Sequence, residues 1–256
     1  MQFNLVNRPF AIKGNLNSSL FTLHFFLLVL LVLLKIKHKT MKKSIMAMAL
    51  AGCALSVSAQ DINLPAPDFS QKSMTVIEAL KTRHSVRQFD ASKELSNQQI
   101  SDLCWAALGM SRDDNHRTAP TAMNRQEIRL FVFTKAGVYE YDAKANKLIK
   151  KADGDKRELM ASNGGNAGFK QDFVLNAPVS LLMVIDYDKF GSSDEKATMM
   201  CCVDAGNVSE NINLYCQAVG LATVPRATHD TNSIKALLGL TDKQLPIINN
   251  PVGYAK

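Results

Sequence analysis

The amino-acid sequence predicts one α/β domain over residues 60–256. Three observations carry that reading. Pro178–Asp186 contains Val179 and Leu181-Leu182-Met183-Val184-Ile185, the near-continuous apolar run of a strand covered on both faces. Ala197–Val219 repeats Cys201, Ala205, Val208, Ile212, Tyr215 and Val219 at steps of four and three, the seam of a long helix. Helical and extended patterns then alternate along the chain, with no internal repeat and no low-complexity tract. Hydrophobic residues make up 46% and charged residues 21%, which excludes disordered and fibrous classes.

The elements follow in order. Asp61–Gln71 is a Pro-containing arm, and Met74–Thr82 reads as a helix whose Val76, Ile77 and Leu80 form an apolar face. Ser96-Asn97-Gln98-Gln99 is a capping box, because Ser96 can cap the helix while Gln99 reaches back. It opens a helix through Ile100, Leu103, Ala107 and Leu108. Glu127–Thr134 and Gly137–Asp142 read as strands, Asp155–Ser162 and Phe169–Leu175 as short helices. The seam of the long helix can pack on a core or on a second subunit. Shorter elements are expected at Ala222–Pro225, Asn232–Leu238 and Leu245–Asn249.

Charge excludes one function class. The chain carries +7, but residues 1–59 hold Arg8, Lys13, Lys35, Lys37, Lys39, Lys42 and Lys43 with no Asp or Glu. The body is therefore neutral, and the sequence gives no basic patch for nucleic acid. Leu20–Leu34 is apolar apart from Thr22 and His24, but as a helix it reaches roughly 22 Å, short of the roughly 30 Å hydrocarbon core. Met41-Lys42-Lys43, the apolar run Ile45–Leu55 and Ser56-Val57-Ser58-Ala59 then have the order of a secretory signal peptide. On this reading residues 1–40 are an upstream leader or an anchor, 41–59 a signal peptide and 60–256 the mature domain. Cleavage after Ala59 gives an exported, periplasmic protein. The competing Leu50-Ala51-Gly52-Cys53 resembles a lipobox and would attach the protein to a membrane through Cys53. A misread leader would leave it cytoplasmic. The mature cysteines, Cys104, Cys201, Cys202 and Cys216, lack CxxC or zinc spacing and read as buried thiols.

HExxH, Walker, GxSxG and GxGxxG patterns are all absent. Gly164–Gly168 reads as a plain loop, and His116 and His229 as isolated histidines. Arg83-His84-Ser85-Val86-Arg87-Gln88-Phe89 is the informative segment: two guanidiniums and a hydroxyl within five residues make a compact anion site.

That segment, placed after a short helix, resembles the cofactor-binding start of the nitroreductase family. Arg117–Gln126 resembles its Pro-Ser-x-x-Asn-x-Gln block, and Cys104–Gly109 the Trp-Ala-Ala-x-Gly stretch before it. Ala177-Pro178-Val179, Asp204-Ala205-Gly206 with Ala218–Val224, and Pro251-Val252-Gly253-Tyr254 follow in family order. The resemblance implies an α+β three-layer α/β/α sandwich, with a mixed, mainly antiparallel sheet flanked by helices. It also implies FMN held at the interface of a homodimer, with NAD(P)H as co-substrate. Arg83 and Ser85 would hold the phosphate, and His84 would lie near the ribityl chain or ring. Arg87 would sit by the N1/C2=O edge, with Pro120, Thr121 and Asn124 near the pyrimidine side. Pro225, Arg226, Ala227 and Thr228 would form the loop near N5, with Arg226 or Lys256 replacing the family's basic pair. No metal and no dedicated catalytic acid are expected, since the flavin carries the chemistry. The acceptor would be a nitroaromatic, a quinone or a similar small molecule. The alternatives are an azoline dehydrogenase acting on peptides, and an exported flavin-binding protein without NAD(P)H turnover.

Overall fold

The computed structural model describes residues 60–162 and 170–256. The leader, its cleavage sites with Cys53, and the Gly164–Gly168 loop lie outside the described residues. Seven strands make one sheet: β1 (Ile62–Asn63), β2 (Ile128–Thr134), β3 (Gly137–Asp142), β4 (Lys147–Asp153), β5 (Val179–Asp186), β6 (Ala222–Thr223) and β7 (Gln244–Gly253). Their order is β1-β4-β3-β2-β5-β7-β6. Every strand pairing among the described residues is antiparallel, more uniform than the mixed sheet expected. The chain is thus α+β.

The central strands carry the core because each buries both faces. Leu130, Val132, Leu181, Met183 and Ile185 point to one side, where they meet the helices α2 (Asn97–Leu108) and α4 (Glu195–Ala218). Phe131, Phe133, Leu182 and Val184 point to the other, against Met160, Val174 and Ile234. These last residues come from the 3-10 turns Arg157–Met160 and Asp172–Asn176 and from α5 (Thr231–Leu238). Three layers result. The two turns replace the short helices expected over Asp155–Ser162 and Phe169–Leu175. Neither has a side-chain cap to nucleate an α-helix.

Helix starts follow their caps. Ser96 Oγ accepts from the Gln99 N–H, and Gln99 Oε1 accepts from the Ser96 N–H at 3.0 Å, as the capping box requires. Thr75 and Glu78 form the same box at α1 (Val76–Thr82). A one-turn helix, α3 (Tyr187–Phe190), follows β5 and ends on left-handed Gly191. The α4 seam packs inward, with Cys201, Ala205, Val208 and Ile212 fully buried. The apolar face of α1 does not. Val76, Ile77 and Leu80 are 68, 61 and 54% exposed, so this face is no part of the chain's own core. No helix among the described residues is long and apolar enough to cross a membrane.

Candidate active site

The Arg83–Phe89 segment leaves α1 as extended chain along one edge of the sheet. The Val86 N–H donates to the Thr223 carbonyl at 3.0 Å, and the Lys256 N–H donates to the Gln88 carbonyl at 3.1 Å. Phe89 anchors the segment by burying its ring. Gly253 permits the close approach: a Cβ there would lie 2.6 Å from Pro178 Cδ and 3.4 Å from Phe89 Cδ1. The result is a cleft of about 670 Å³ lined by Arg87, Gln88, Asp90, Phe173, Asn176 and Lys256. Among the described residues neither Arg87 nor Lys256 has a carboxylate partner, while Asp90 in the same cleft is paired with Lys93 at 3.2 Å. Two cations beside an aromatic ring make a site for an anion carrying a flat group.

The rest of the expected set divides. Ser85 and His84 are exposed beside this segment, and His84 Nδ1 lies 2.9 Å from the Thr82 carbonyl. Arg83 turns toward Glu210 of α4 at 4.0 Å. Arg226 takes an inward position that the sequence did not suggest. Its Nε donates to Gln171 Oε1 at 2.6 Å, Nη1 to Asn249 Oδ1 at 2.8 Å and Nη2 to the Met160 carbonyl at 2.9 Å. Its guanidinium lies 5.4 Å from the Phe173 ring centre. Burial, with the Arg87 charge nearby, lowers its pKa to about 10. Arg226 thus props the wall of the cleft, and Lys256 is the cation on its surface. Pro225 and Ala227 are exposed, and the Thr228 carbonyl accepts from Asn249 Nδ2 at 2.9 Å.

Pro120, Thr121 and Asn124 line a second cleft of about 880 Å³, with Trp105, Arg117, Asn211 and Leu214. No residue lines both clefts. The loop here is unusual: Met123, Asn124 and Gln126 all have left-handed backbone, at φ 54, 52 and 52°. Strain of this kind persists where surrounding contacts fix it. Gln126 supplies several of them, accepting from Arg117 Nε at 2.9 Å and donating to Asn124 Oδ1 at 3.0 Å. Beneath the loop, Asp204 Oδ2 accepts the Ala122 N–H at 2.7 Å.

Sequence reasoning missed Phe173, Asn176, Glu127 and the role of Asp204. For Asp204 a signal existed: an acid sits within the apolar seam of α4, between Cys201 and Ala205. Phe173 carried none, since its place depends on a turn that the pattern read as helix.

The nitroreductase family model matches residues 80–254. The chain belongs to the nitroreductase family. A Methanocaldococcus jannaschii protein named for the nitroreductases is 25% identical over 186 residues, 69% of this chain and 89% of that one. A nitroreductase-type crystal structure from Ralstonia eutropha superposes with a TM-score of 0.70 at 31% identity. It covers 79% of this chain and 93% of its own. The NADPH:FMN oxidoreductase of Vibrio harveyi, complexed with NAD+, shares the fold at a TM-score of 0.53 and 20% identity. That match covers 71% of this chain and 69% of the other. Family membership supports an oxidoreductase.

Proposed function

We propose that this protein is an FMN-dependent oxidoreductase that works as a homodimer, taking electrons from NAD(P)H and passing them to a nitroaromatic, a quinone or a similar small acceptor. The observation that carries the reading is the cleft in which Arg87 and Lys256, neither of them ion-paired among the described residues, stand beside Phe173. That donor set fits an anionic tail followed by a planar ring, the outline of FMN. Arg83 and Ser85 extend the cationic edge toward the phosphate, and His84 stands beside them. The fixed charge of Arg87 suits the ring edge that gains negative charge on reduction. When bound, the flavin supplies two-electron chemistry at its N5.

A second copy of the chain accounts for the rest. The Asn124 amide can donate and accept, which suits a pyrimidine edge, but it lines the other cleft. The exposed face of Val76, Ile77 and Leu80, with Met199 and Val203 at 60% each on α4, is apolar surface of the kind a partner covers. Gly206 continues that α4 stripe, and a Cβ there would meet nothing within 4 Å in the single chain. A helix-interior glycine costs about 1 kcal/mol relative to alanine, so a close-packed partner gives it a purpose.

Should the leader direct the domain out of the cytoplasm, a membrane-linked donor would have to stand in for soluble NAD(P)H; a cytoplasmic domain keeps NAD(P)H as its donor. The test is an absorbance spectrum of purified protein after addition of FMN and desalting, followed by anaerobic NADH or NADPH. Retained flavin bands bleached by one nucleotide support the full reading. Retention without bleaching assigns another donor. Failure to retain flavin, or equal retention by Arg87→Ala, refutes the assignment of this cleft.

A further inference from the structure

The loop that carries Pro120, Thr121 and Asn124 stands on a buried acid pair that the flavin chemistry does not use. Glu127, directly before β2, is fully buried, and Asp204 of α4 is 5% exposed. One Asp204 oxygen accepts the Ala122 N–H at 2.7 Å, at the first residue of the turn Ala122–Asn124. Neither Glu127 oxygen has a hydrogen-bond partner of good geometry among the described residues; the donors beside its carboxyl are its own backbone N–H and the Cys201 thiol. The Glu127 carboxyl also meets that of Asp204, on the same helix as Cys201.

No cation among the described residues is paired with either acid. Arg129, two residues on, lies over the Phe131 ring on the face of β2 away from α4, where it is held by Glu140 at 2.7 Å and lies 3.9 Å from Asp186. Arg117 is turned to Gln126 and to the Leu108 carbonyl at 3.0 Å. His116 in the adjoining cleft is paired with Asp114 at 2.7 Å. Cys104 of α2 is fully buried, and Cys202 is half-buried on α4. Two carboxylates in contact away from water repel each other, whereas one shared proton turns the contact into a hydrogen bond.

We propose that a proton shared between Glu127 and Asp204 is a positioning latch: it holds Asp204 against the Ala122 N–H and so fixes the left-handed turn that presents Asn124. The inference rests on the flavin reading only for what Asn124 is presented to. Burial, with the Asp204 charge added, pushes the Glu127 carboxyl up to about 7. The latch therefore closes below neutral pH and opens above it, as the second charge forms and drives the carboxylates apart. Glu127 and Asp204 act through the loop and touch no reacting atom.

Trp105 is the chain's single tryptophan and lines the same cleft as Thr121 and Asn124. It reports the loop without any ligand. In the full chain without flavin, its fluorescence should show a transition near neutral pH. Glu127→Gln should abolish it, because the amide donates to Asp204 at every pH. Asp204→Asn should move it below the window, because the new amide donates to ionised Glu127. His116→Asn should leave it in place. A second readout is FMN affinity, expected at least about three-fold weaker at pH 8 than at pH 6 in the parent and flat in Glu127→Gln. A transition of unchanged midpoint in folded Glu127→Gln and Asp204→Asn overturns the latch. Should FMN fail to bind at any pH, the flavin reading falls while the Trp105 titration still decides the latch.

Discussion

Arg226 separates two accounts of the same residue, and its replacement decides between them. The family resemblance offers it, with Lys256, as a substitute for the basic pair at the phosphate, whereas the structure points its guanidinium inward. Arg226→Met removes the fork but keeps most of the apolar stem. It leaves the Met160 carbonyl and Asn249 Oδ1 without the donors they now have at 2.9 and 2.8 Å. Asn249 is fully buried, so water does not replace the lost donor without opening the fold. An orphaned buried acceptor costs about 1–3 kcal/mol. The Gln171 contact and the packing on Phe173 are lost as well. Against this, a guanidinium with no acidic partner among the described residues no longer has to be desolvated. The net expectation is a loss of about 3 kcal/mol, which for a domain of this size lowers Tm by roughly 6–12 °C. Thermal unfolding followed by circular dichroism reads it directly. Arg226→Lys, which keeps charge but not the fork, should lose nearly as much. A Tm within about 2 °C of the parent, together with a large fall in FMN affinity, would refute the internal role and restore the phosphate ligand.

Three further outcomes are expected. Gly253→Ala forces its methyl into the Pro178 ring and against Phe89, and rigid rings do not yield. A loss of about 1–3 kcal/mol in denaturant unfolding should come with weaker FMN binding, because Phe89 lies in the cleft wall. Ile77→Asp places a charge on surface that is exposed in the single chain, so Tm should hardly move in dilute samples. Sedimentation should instead show monomer, with flavin retention lost. For pH, the Glu127 carboxyl is raised in the folded state, so folding retains a proton that the unfolded chain releases. That contribution is complete below about pH 4.5 and is lost as pH rises through about 7, roughly 3 kcal/mol in all. The stability of the parent relative to Glu127→Gln should therefore fall across that window, and parallel curves from pH 5 to pH 8 would contradict it.

The legible parts of the fold are those in which local chemistry and tertiary packing agree. β5 announced itself because both its faces are buried, so no alternation was needed to find it. α2 did so through a cap that works the same way in isolation as in the fold. β4 was invisible. Its Lys147, Lys150 and Lys151 look like a solvated run, and only the structure shows the acids that receive them, Asp61, Asp153 and Glu140. β7 runs on through Pro251 to Gly253, beyond the Leu245–Asn249 expected. The register shift between Met183 and Val184 lets β5 accommodate Pro246, and β6 pairs only with Val252 and Gly253 beyond Pro251. The apolar face of α1 was legible as apolar but not as uncovered, since periodicity says which residues share a face and nothing about what meets it. The anion segment was readable from residue type alone. The inward turn of Arg226 was not, because it depends on acceptors 55 and 66 residues away in sequence.

The division of the expected site into two clefts has an energetic consequence on the two-copy reading. Each chain offers a cationic edge at Arg87 and Lys256 and, elsewhere, the Asn124 loop, and no residue belongs to both. A ligand that needs both then binds only where two chains meet, so it binds the dimer and not the monomer. Such a ligand at one hundred times its Kd stabilises the bound state by about 2.7 kcal/mol per site, and two equivalent sites act together. FMN would therefore tighten dimerisation as directly as dimerisation creates the flavin site. The Glu127–Asp204 pair enters the same linkage. A proton that fixes Asn124 in one chain favours flavin in a site shared with the other, so lower pH, flavin and dimer should be mutually reinforcing. That coupling is absent if each chain binds its own flavin unaided. A dimer dissociation constant unaffected by FMN would therefore exclude the shared site, while the cation cleft of the single chain would still stand.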